Sequence, residues 1–139
     1  MKGIVAFGAS GDKPDLRLEL LGFAHPDVAE PEGLDLITVR AHANAPPVAA
    51  TFDLTVAVYE LRDLAAYLRE INSGNGPMRN FSLAGGLLAL SFAPSRRGPV
   101  LCAVLLKSID AAHLRLEYLV TLEPADISRC LSQIADIAL

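Results

Sequence analysis

The stretch TFDLTVAVYELRDLAAYLREIN, residues 51–72, decides the fold class because its hydrophobic period changes part-way along it. From Phe52 to Val58 apolar residues occupy alternate positions, which is the pattern of a strand with one buried face. From Leu61 to Ile71 they recur every three or four positions, which is the pattern of an amphipathic helix. The stretch therefore predicts a strand that leads directly into a helix.

Strand-like runs precede and follow this unit, and short turns separate most of them. The predicted strands lie at about 3–7, 15–23, 36–43, 51–58, 81–83, 88–92, 100–107 and 114–122, and the predicted helices at about 59–72 and 124–139. Connections of hairpin length permit only antiparallel neighbours. We therefore predict a single α+β domain over residues 1–139. Its core would be a mostly antiparallel meander sheet of about six strands, with two helices packed on one face.

Three details of packing follow from the same patterns. The apolar stripes of the two helices predict burial of Leu64, Leu68, Ile127, Leu131 and Ile134. The continuous apolar run over residues 100–107 predicts a central strand covered on both faces. The two prolines in the connection at 44–47 predict an open or bulged turn rather than a tight hairpin.

Composition restricts the function classes. The chain has 139 residues, is 52% hydrophobic and carries a formal net charge of −4. Its apolar runs are too short for a spanning helix, so we expect a cytoplasmic protein without a membrane partner. The acidic balance argues against nucleic acid as a partner. The high apolar content predicts a subunit interface, and a homodimer through strands 16–23 or 100–106 is one form of it.

Few motifs suggest chemistry. The turn at 8–12 resembles the glycine-rich turn of dinucleotide-binding dehydrogenases, but a strand pattern follows it instead of a helix, so we expect no cofactor. The histidines lack metal-ligand spacing, and no nucleophile motif is present, so we expect no metal and no catalytic set. The alternative is a small enzyme whose site assembles a histidine with carboxylates from different elements. Its candidates are His25, His42, His113, Asp53, Glu60 and Asp63.

From residue 51 onward the order of elements carries a family resemblance. The relevant features are the strand–helix unit at 54–71, the strand pair around Gly85-Gly86, the turn with Gly98 before the apolar strand, and the strand that runs directly into a helix at 116–126. In these features the chain resembles small bacterial families of unknown function that include immunity proteins of the WapI type. The resemblance implies a non-catalytic protein-binding domain, immunity-like or accessory, which neutralises a toxin partner. It supplies no functional residues.

The acidic balance suits a basic protein partner such as a nuclease toxin, because complementary charge speeds encounter. A loop in the N-terminal third concentrates acidic residues. The candidate partner-binding residues are Asp27, Glu30, Glu32 and Asp35.

Overall fold

A computed structural model of the chain describes residues 2–8, 12–27, 35–96, 98–110 and 113–137. Within these residues the chain forms two consecutive units, each made of four antiparallel strands followed by a helix. The first unit consists of β1 (Gly3–Phe7), β2 (Asp15–Phe23), β3 (Leu36–Ala45), β4 (Val48–Ala57) and α1 (Val58–Asn72). The second consists of β5 (Arg79–Leu83), β6 (Leu88–Ala93), β7 (Val100–Lys107), β8 (Arg115–Leu122) and α2 (Pro124–Asp136).

The α+β class and the antiparallel pairing are confirmed, but the single sheet of about six strands is wrong. The described residues form eight strands in two four-stranded sheets, so the helices do not lie together on one face of one sheet. The reason is that α1 separates β4 from β5, and each sheet is completed by its own hairpins. Alternation identifies a strand but does not say which strands pair. The sequence also shows no repeat, although both units have the same order of elements.

The two sheets and the two helices share one hydrophobic core. Alternate residues of each strand, with the apolar stripes of α1 and α2, form a single cluster of buried side chains. Tyr67 of α1 is fully buried, and its ring lies 5.4 Å from that of Phe81 and 5.3 Å from that of Phe92 in the second sheet. Of the five helix residues predicted to be buried, four are, and Leu131 is half-buried against the core.

The junction between strand and helix is built in the same way in both units. In the first, the side chain of Glu60 accepts a hydrogen bond from the backbone N–H of Ala57 at 3.0 Å. In the second, the side chain of Asp126 accepts one from the N–H of Glu123 at 2.8 Å. An acidic residue at this position satisfies a backbone donor of the first turn and suits the helix dipole. Each strand can therefore continue into its helix without an intervening loop.

Helix α2 covers the edge of the first sheet along β1. The side-chain oxygen of Gln133 accepts from the N–H of Ala6 at 2.8 Å, and the thiol of Cys130 donates to the carbonyl of Ala6 at 2.6 Å. Arg129 donates to the carbonyl of Gly8 at 2.8 Å. These bonds satisfy backbone groups that an uncovered edge strand would expose to pairing with other chains.

The connection between β3 and β4 differs from the prediction. Ala45 pairs with Val48, so the two strands are joined by a tight two-residue turn. The peptide bond between Pro46 and Pro47 is cis. A cis proline at the third position is the defining feature of a type VI turn, which accommodates both prolines in a tight reversal.

Gly8 follows directly after β1 and lies next to Val120 of β8 in the second sheet. Its φ of +89° is in the left-handed region, and a Cβ placed on it would lie 2.7 Å from Cγ1 of Val120. The glycine that opens the predicted Gly-rich turn is therefore required by the close approach of the two sheets. The remainder of that turn, residues 9–11, lies outside the described residues.

We predict that Gly8→Ala destabilises the protein by about 2–4 kcal/mol, since the left-handed backbone costs about 1 kcal/mol and the contact with Val120 adds about 1–3. The matched control is Gly74→Ala, because Gly74 has a φ of +87° but no atom lies within 4 Å of the point that its Cβ would occupy. That variant should lose only the backbone contribution. Urea unfolding measures both, and equal losses would contradict the packing argument.

Candidate functional site

The outer face of the first sheet, which points away from the core, is polar over most of β2, β3 and β4, and the exposed Ile4 lies at its edge on β1. We call it the polar face; its members are Arg17, Glu19, Thr38, Arg40, His42, Thr51, Asp53 and Thr55. Two cross-strand pairs lie on it: Arg40 Nε is 2.9 Å from Asp53 Oδ1, and His42 Nε2 is 3.0 Å from Glu19 Oε1. Exposed pairs of this kind contribute about 0–1 kcal/mol, so the polar face suits contact with water.

The enzyme alternative retains one histidine. His42 meets a carboxylate, that of Glu19, but none of the three that the sequence proposed. Asp53 binds Arg40, Glu60 caps α1, and Asp63 is exposed on that helix. The other two histidines, His25 and His113, are exposed outside the strands. Among the described residues, the contacts of these three carboxylates do not include a histidine, and the enzyme alternative stays a prediction.

His42 borders a shallow depression of about 440 Å³ on the polar face. Arg17, Asn44 and Thr51 also line it, and about a third of the side-chain surface of both His42 and Glu19 is exposed. A histidine oriented by a carboxylate can act as a general base. Its surroundings here are open to solvent, which weakens the electrostatic effects on which catalysis depends.

Asp15 is a buried carboxylic acid at one end of the same depression. Only 4% of the residue is exposed, and its Oδ1 has no hydrogen-bond partner within the part of the chain that the structure describes. Burial raises the pKa of Asp15, an effect that the nearby charge of Arg17 partly opposes. The hydroxyl of Tyr118 donates to the backbone carbonyl of Asp15 at 2.8 Å, joining β8 to the start of β2. Burial, followed by the charge of Asp15, raises the pKa of Tyr118.

The outer face of the second sheet has a different chemistry. We call its centre the apolar face; its members are Ala89, Ser91, Leu101, Ala103, Leu105 and Leu119, and the outward Asn80 and Ser82 of β5 and Glu117 and Thr121 of β8 flank them. Ser91, Ala103 and Leu119 form one row across three strands. Leu101 is 44% exposed and Leu119 is 59% exposed. The small side chains leave a depression of about 350 Å³ beside Leu119.

The apolar face corrects the prediction for residues 100–107. This strand, β7, lies between β6 and β8 as a central strand should, but only one of its faces is covered. Val100, Cys102, Val104 and Leu106 are buried, while the alternate residues face outward. A continuous apolar run normally belongs to a strand buried on both faces. The chain therefore provides an apolar surface that the described residues do not cover.

The acidic loop is only partly within the described residues, since Glu30 and Glu32 lie outside them. Asp27 is exposed beyond the end of β2. Asp35 is half-buried, and its carbonyl accepts a hydrogen bond from the N–H of Val58 at 2.9 Å. Asp35 therefore has a structural contact at the start of α1, and the role of the loop in binding stays a prediction.

Both cysteines, Cys102 and Cys130, are buried. Burial raises the pKa of Cys102 to about 12 and that of Cys130 to about 12, so neither thiol is a reactive nucleophile at neutral pH. In the ranges that the structure describes, His, Cys, Asp and Glu side chains form no group of three that could hold a metal ion. Nor is any helix there long and apolar enough to cross a membrane.

Comparisons with protein-family models, with curated proteins and with solved structures find no match to this chain. The candidate surfaces are therefore judged on their geometry.

The sequence analysis named the strand at 100–106 as one place for a subunit interface, but it did not identify the outward residues that form the apolar face. A signal was present, because residues 100–106 are apolar at every position, and the neighbouring strand presents Ala89 and Ser91 between its buried residues. Uniform apolarity by itself predicts burial on both sides. Small residues at the alternate positions of two paired strands indicate instead a surface that another chain can approach closely.

We predict that Asp15→Asn stabilises the protein at pH 7 by about 1–2 kcal/mol, because it removes a buried charge that lacks a full set of partners. Since the folded-state pKa is raised above 3.8, the wild type is most stable, relative to the variant, below pH 3.8. That stability is lost as the pH rises through the folded-state pKa.

The advantage of Asp15→Asn should therefore appear as the pH increases from about 3.8 towards 7. Urea unfolding at a series of pH values measures it. Asp12→Asn, an exposed carboxylate on the same connection, is the control and should change stability by less than about 0.5 kcal/mol. A difference in the free energy of unfolding between Asp15→Asn and the wild type that does not change with pH would show that charge burial is not the cause.

Proposed function

We propose that this chain is a non-catalytic protein-binding domain whose binding surface is the apolar face. The observation that carries the proposal is the contrast between the outer faces of two sheets with the same strand order. The polar face has charged pairs across its centre, whereas the centre of the second sheet's outer face presents leucine, alanine and serine, with the pair Arg115–Glu117 beside it. Contiguous exposed apolar surface usually marks a contact site.

Burial of the apolar face offers a sufficient driving force for association. Removing apolar area from water contributes about 25 cal/mol per Å², so a patch of a few hundred Å² supplies several kcal/mol before the costs of association. Leu101 and Leu119 are the large side chains that gain most, because about half of each is exposed. Ala89, Ser91 and Ala103 beside them are small and have little side-chain entropy to lose.

The ionisable groups near the polar face support a non-catalytic role. Arg40 and Asp53 neutralise each other, and Glu19 engages His42. Polar pairs on an open sheet surface increase solubility, and a substrate in the open depression beside His42 would remain in contact with water.

The resemblance to immunity proteins supplies a more specific hypothesis. An immunity-like or accessory protein would bind a basic toxin, and the acidic residues Asp27, Glu30, Glu32 and Asp35 would favour that encounter by charge. On this hypothesis the acidic loop affects association rate, while the apolar face supplies affinity. The effect of the loop would weaken at high salt.

The second candidate is a small enzyme, and the observation that favours it is the contact of His42 with Glu19. Turnover of a small molecule by the purified protein, abolished in His42→Gln and retained in His25→Gln, would establish this function. His25 is the matched control because it is exposed and lies outside the depression. If the protein-binding proposal is correct, both variants keep the binding activity of the wild type.

The binding proposal predicts that the apolar face is covered in the cell. In Ala103→Cys, a new thiol is placed in the middle of this face, while the native thiols are buried and unreactive. We expect a maleimide dye to label it several-fold more slowly in the cells that encode the chain than in the purified protein at nanomolar concentration. Mass spectrometry of the labelled peptide gives both rates.

Thr55→Cys is the control for dye access, because Thr55 is exposed on the polar face. The ratio of its labelling rate in cells to its labelling rate in dilute solution gives the value expected for a thiol that no partner covers. The binding proposal fails if Ala103→Cys shows the same ratio.

A further inference from the structure

We propose that the outer edge of β4 is a second interaction surface, which binds an extended segment of another protein as an added strand. This edge belongs to the first sheet and is separate from the apolar face, so it adds a site to the proposed function. Three features carry the proposal: the backbone groups that β4 leaves unpaired, the cavity beside them, and the balance of charge around that cavity.

Strand β4 ends the first sheet and pairs only with β3. At the opposite edge of the sheet, α2 covers β1 through hydrogen bonds to the backbone of Ala6 and Gly8. In the ranges that the structure describes, no backbone hydrogen bond joins the other side of β4 to a further element. The strand has ten residues, of which only Asp53 is charged. A long edge with one charge and no proline is ready to pair with another chain.

One hydrogen bond fixes which backbone groups of β4 face this edge. The N–H of Val58 donates to the carbonyl of Asp35 at 2.9 Å, and this pair continues the register of β3 with β4. In an antiparallel pair, every second residue directs its N–H and C=O to the partner strand. Counting from Val58, these are the even-numbered residues of β4. The backbone groups of Thr51, Asp53 and Thr55 therefore point away from β3.

These three residues present three N–H donors and three carbonyl acceptors along the edge. None of the six groups has a backbone partner among the described residues. All three residues are exposed, so water solvates the groups in the unbound protein. Outward residues recur about every 7 Å along a strand, and an extended backbone presents its own donors and acceptors at the same spacing. An extended polypeptide is therefore the partner whose chemistry matches the edge.

A cavity of about 430 Å³ lies beside these groups. Five consecutive residues of β4, 51–55, line it, although their side chains alternate between the two faces of the sheet. Only the edge of the strand is common to all five, so the cavity follows the edge. Its opposite wall is formed by turns of the second unit, at Leu87, Ile109 and Leu114. The cavity therefore occupies the place that a fifth strand of the first sheet would take.

The walls favour a segment whose residues alternate between apolar and polar. Ile109 is 79% exposed and Leu114 is 57% exposed, and Leu87 packs against the core beside them. A strand added to β4 directs alternate side chains towards the second unit and the others towards the polar face. Apolar side chains in the first set would cover Ile109 and Leu114. The second set would stay in water, as would the side chain of Thr55, because strand addition leaves the polar face open.

The charges around the cavity are balanced. Asp53 is bound to Arg40 at 2.9 Å, and Lys107 and Asp110 on the opposite wall differ in sign. Because no excess of one sign is available to attract a charged segment, we expect an uncharged one. Pairing with β4 of a second copy, centred on Asp53, would set this carboxylate opposite its own counterpart, which is unfavourable. The balance of charge therefore favours a segment of a different protein.

Amide hydrogen exchange of the full chain, followed by NMR, tests the edge before any partner is added. The N–H groups of Thr51, Asp53 and Thr55 should exchange at least about 10-fold faster than those of Phe52 and Leu54, which bond to β3. Equal protection of the two sets would show that the outward groups are already paired, and would overturn the proposal.

A phage library of random octapeptides is the probe for binding. We expect it to yield peptides that alternate apolar and uncharged polar residues and bind with a Kd in the micromolar range, since one added strand forms a small interface. A bound peptide should slow exchange at Thr51, Asp53 and Thr55 several-fold. If no peptide is selected, or if the selected peptides leave these three amides unchanged, the proposal is wrong.

Two variants at the centre of the edge separate the backbone donor from the side chain. Asp53→Pro removes the outward N–H and places a ring at the edge, whereas Asp53→Ala loses the same carboxylate and keeps the N–H. Edge strands tolerate proline where the N–H faces solvent, so the bonds between β3 and β4 should remain. The Kd of a selected peptide should be at least about 10-fold higher for Asp53→Pro than for Asp53→Ala.

Equal Kd values for the two variants would contradict strand addition. Thermal melting checks that both are folded, and if Asp53→Pro is not, the exchange measurement on the wild type decides. Protection of the three outward amides that rises with protein concentration, without peptide, would identify a second copy as the occupant and overturn the assignment of the partner. The labelling of Ala103→Cys in cells reports on the apolar face alone, so failure at the β4 edge and failure of the proposed function are distinguishable.

Discussion

The hydrogen bonds between α2 and the backbone of β1 connect the last element of the described chain to the first. Gln133 and Cys130 satisfy both backbone groups of Ala6, and Arg129 reaches the carbonyl of Gly8. These contacts cover an edge that would otherwise be available to other strands. They also fix the second unit against the first, because α2 follows directly from β8. The position of both outer faces therefore depends on this edge.

With the two units held in this way, each sheet has one face in the core and one face outside it. A strand with one buried face normally alternates apolar and polar residues, and β3 does so: Val39 and Ala41 are buried while Arg40 and His42 face outward. In β7 the outward positions are apolar as well. Two sheets of equal strand number and equal pairing thus differ in what they present. Since strand number and pairing are shared, the difference lies in the outward side chains alone.

Much of the fold could be predicted from the sequence because its local patterns are strong. The alternation in residues 52–56 and the helical spacing from Leu61 to Ile71 identify β4 and α1, and the bounds of β2 match the prediction. The division into two sheets could not be predicted, since pairing depends on contacts far apart in sequence. The tight turn at Pro46-Pro47 depends on a peptide geometry that residue type alone does not specify.

The candidate site was less predictable, for a related physical reason. An apolar residue on a strand has the same pattern whether another part of its own chain or another molecule covers it. The acidic loop had a clear charge signal, but charge on a loop is common and says little about contact. His42 and Glu19 are separated by the whole loop between β2 and β3, and only the pairing of these strands brings them together.

The small residues on the apolar face support an interface more strongly than its leucines do. Isolated exposed leucines are ordinary on protein surfaces. Alanine, however, is a poor strand former, whereas threonine is a good one and is compatible with water. The polar face uses Thr38, Thr51 and Thr55 at outward positions, with Ala49 near the start of β4, and the outer face of the second sheet uses Ala89 and Ala103, with Thr121 on β8. Alanine at these positions lowers strand propensity and does not increase solubility. On the proposed function, its small side chain allows a second surface to approach closely.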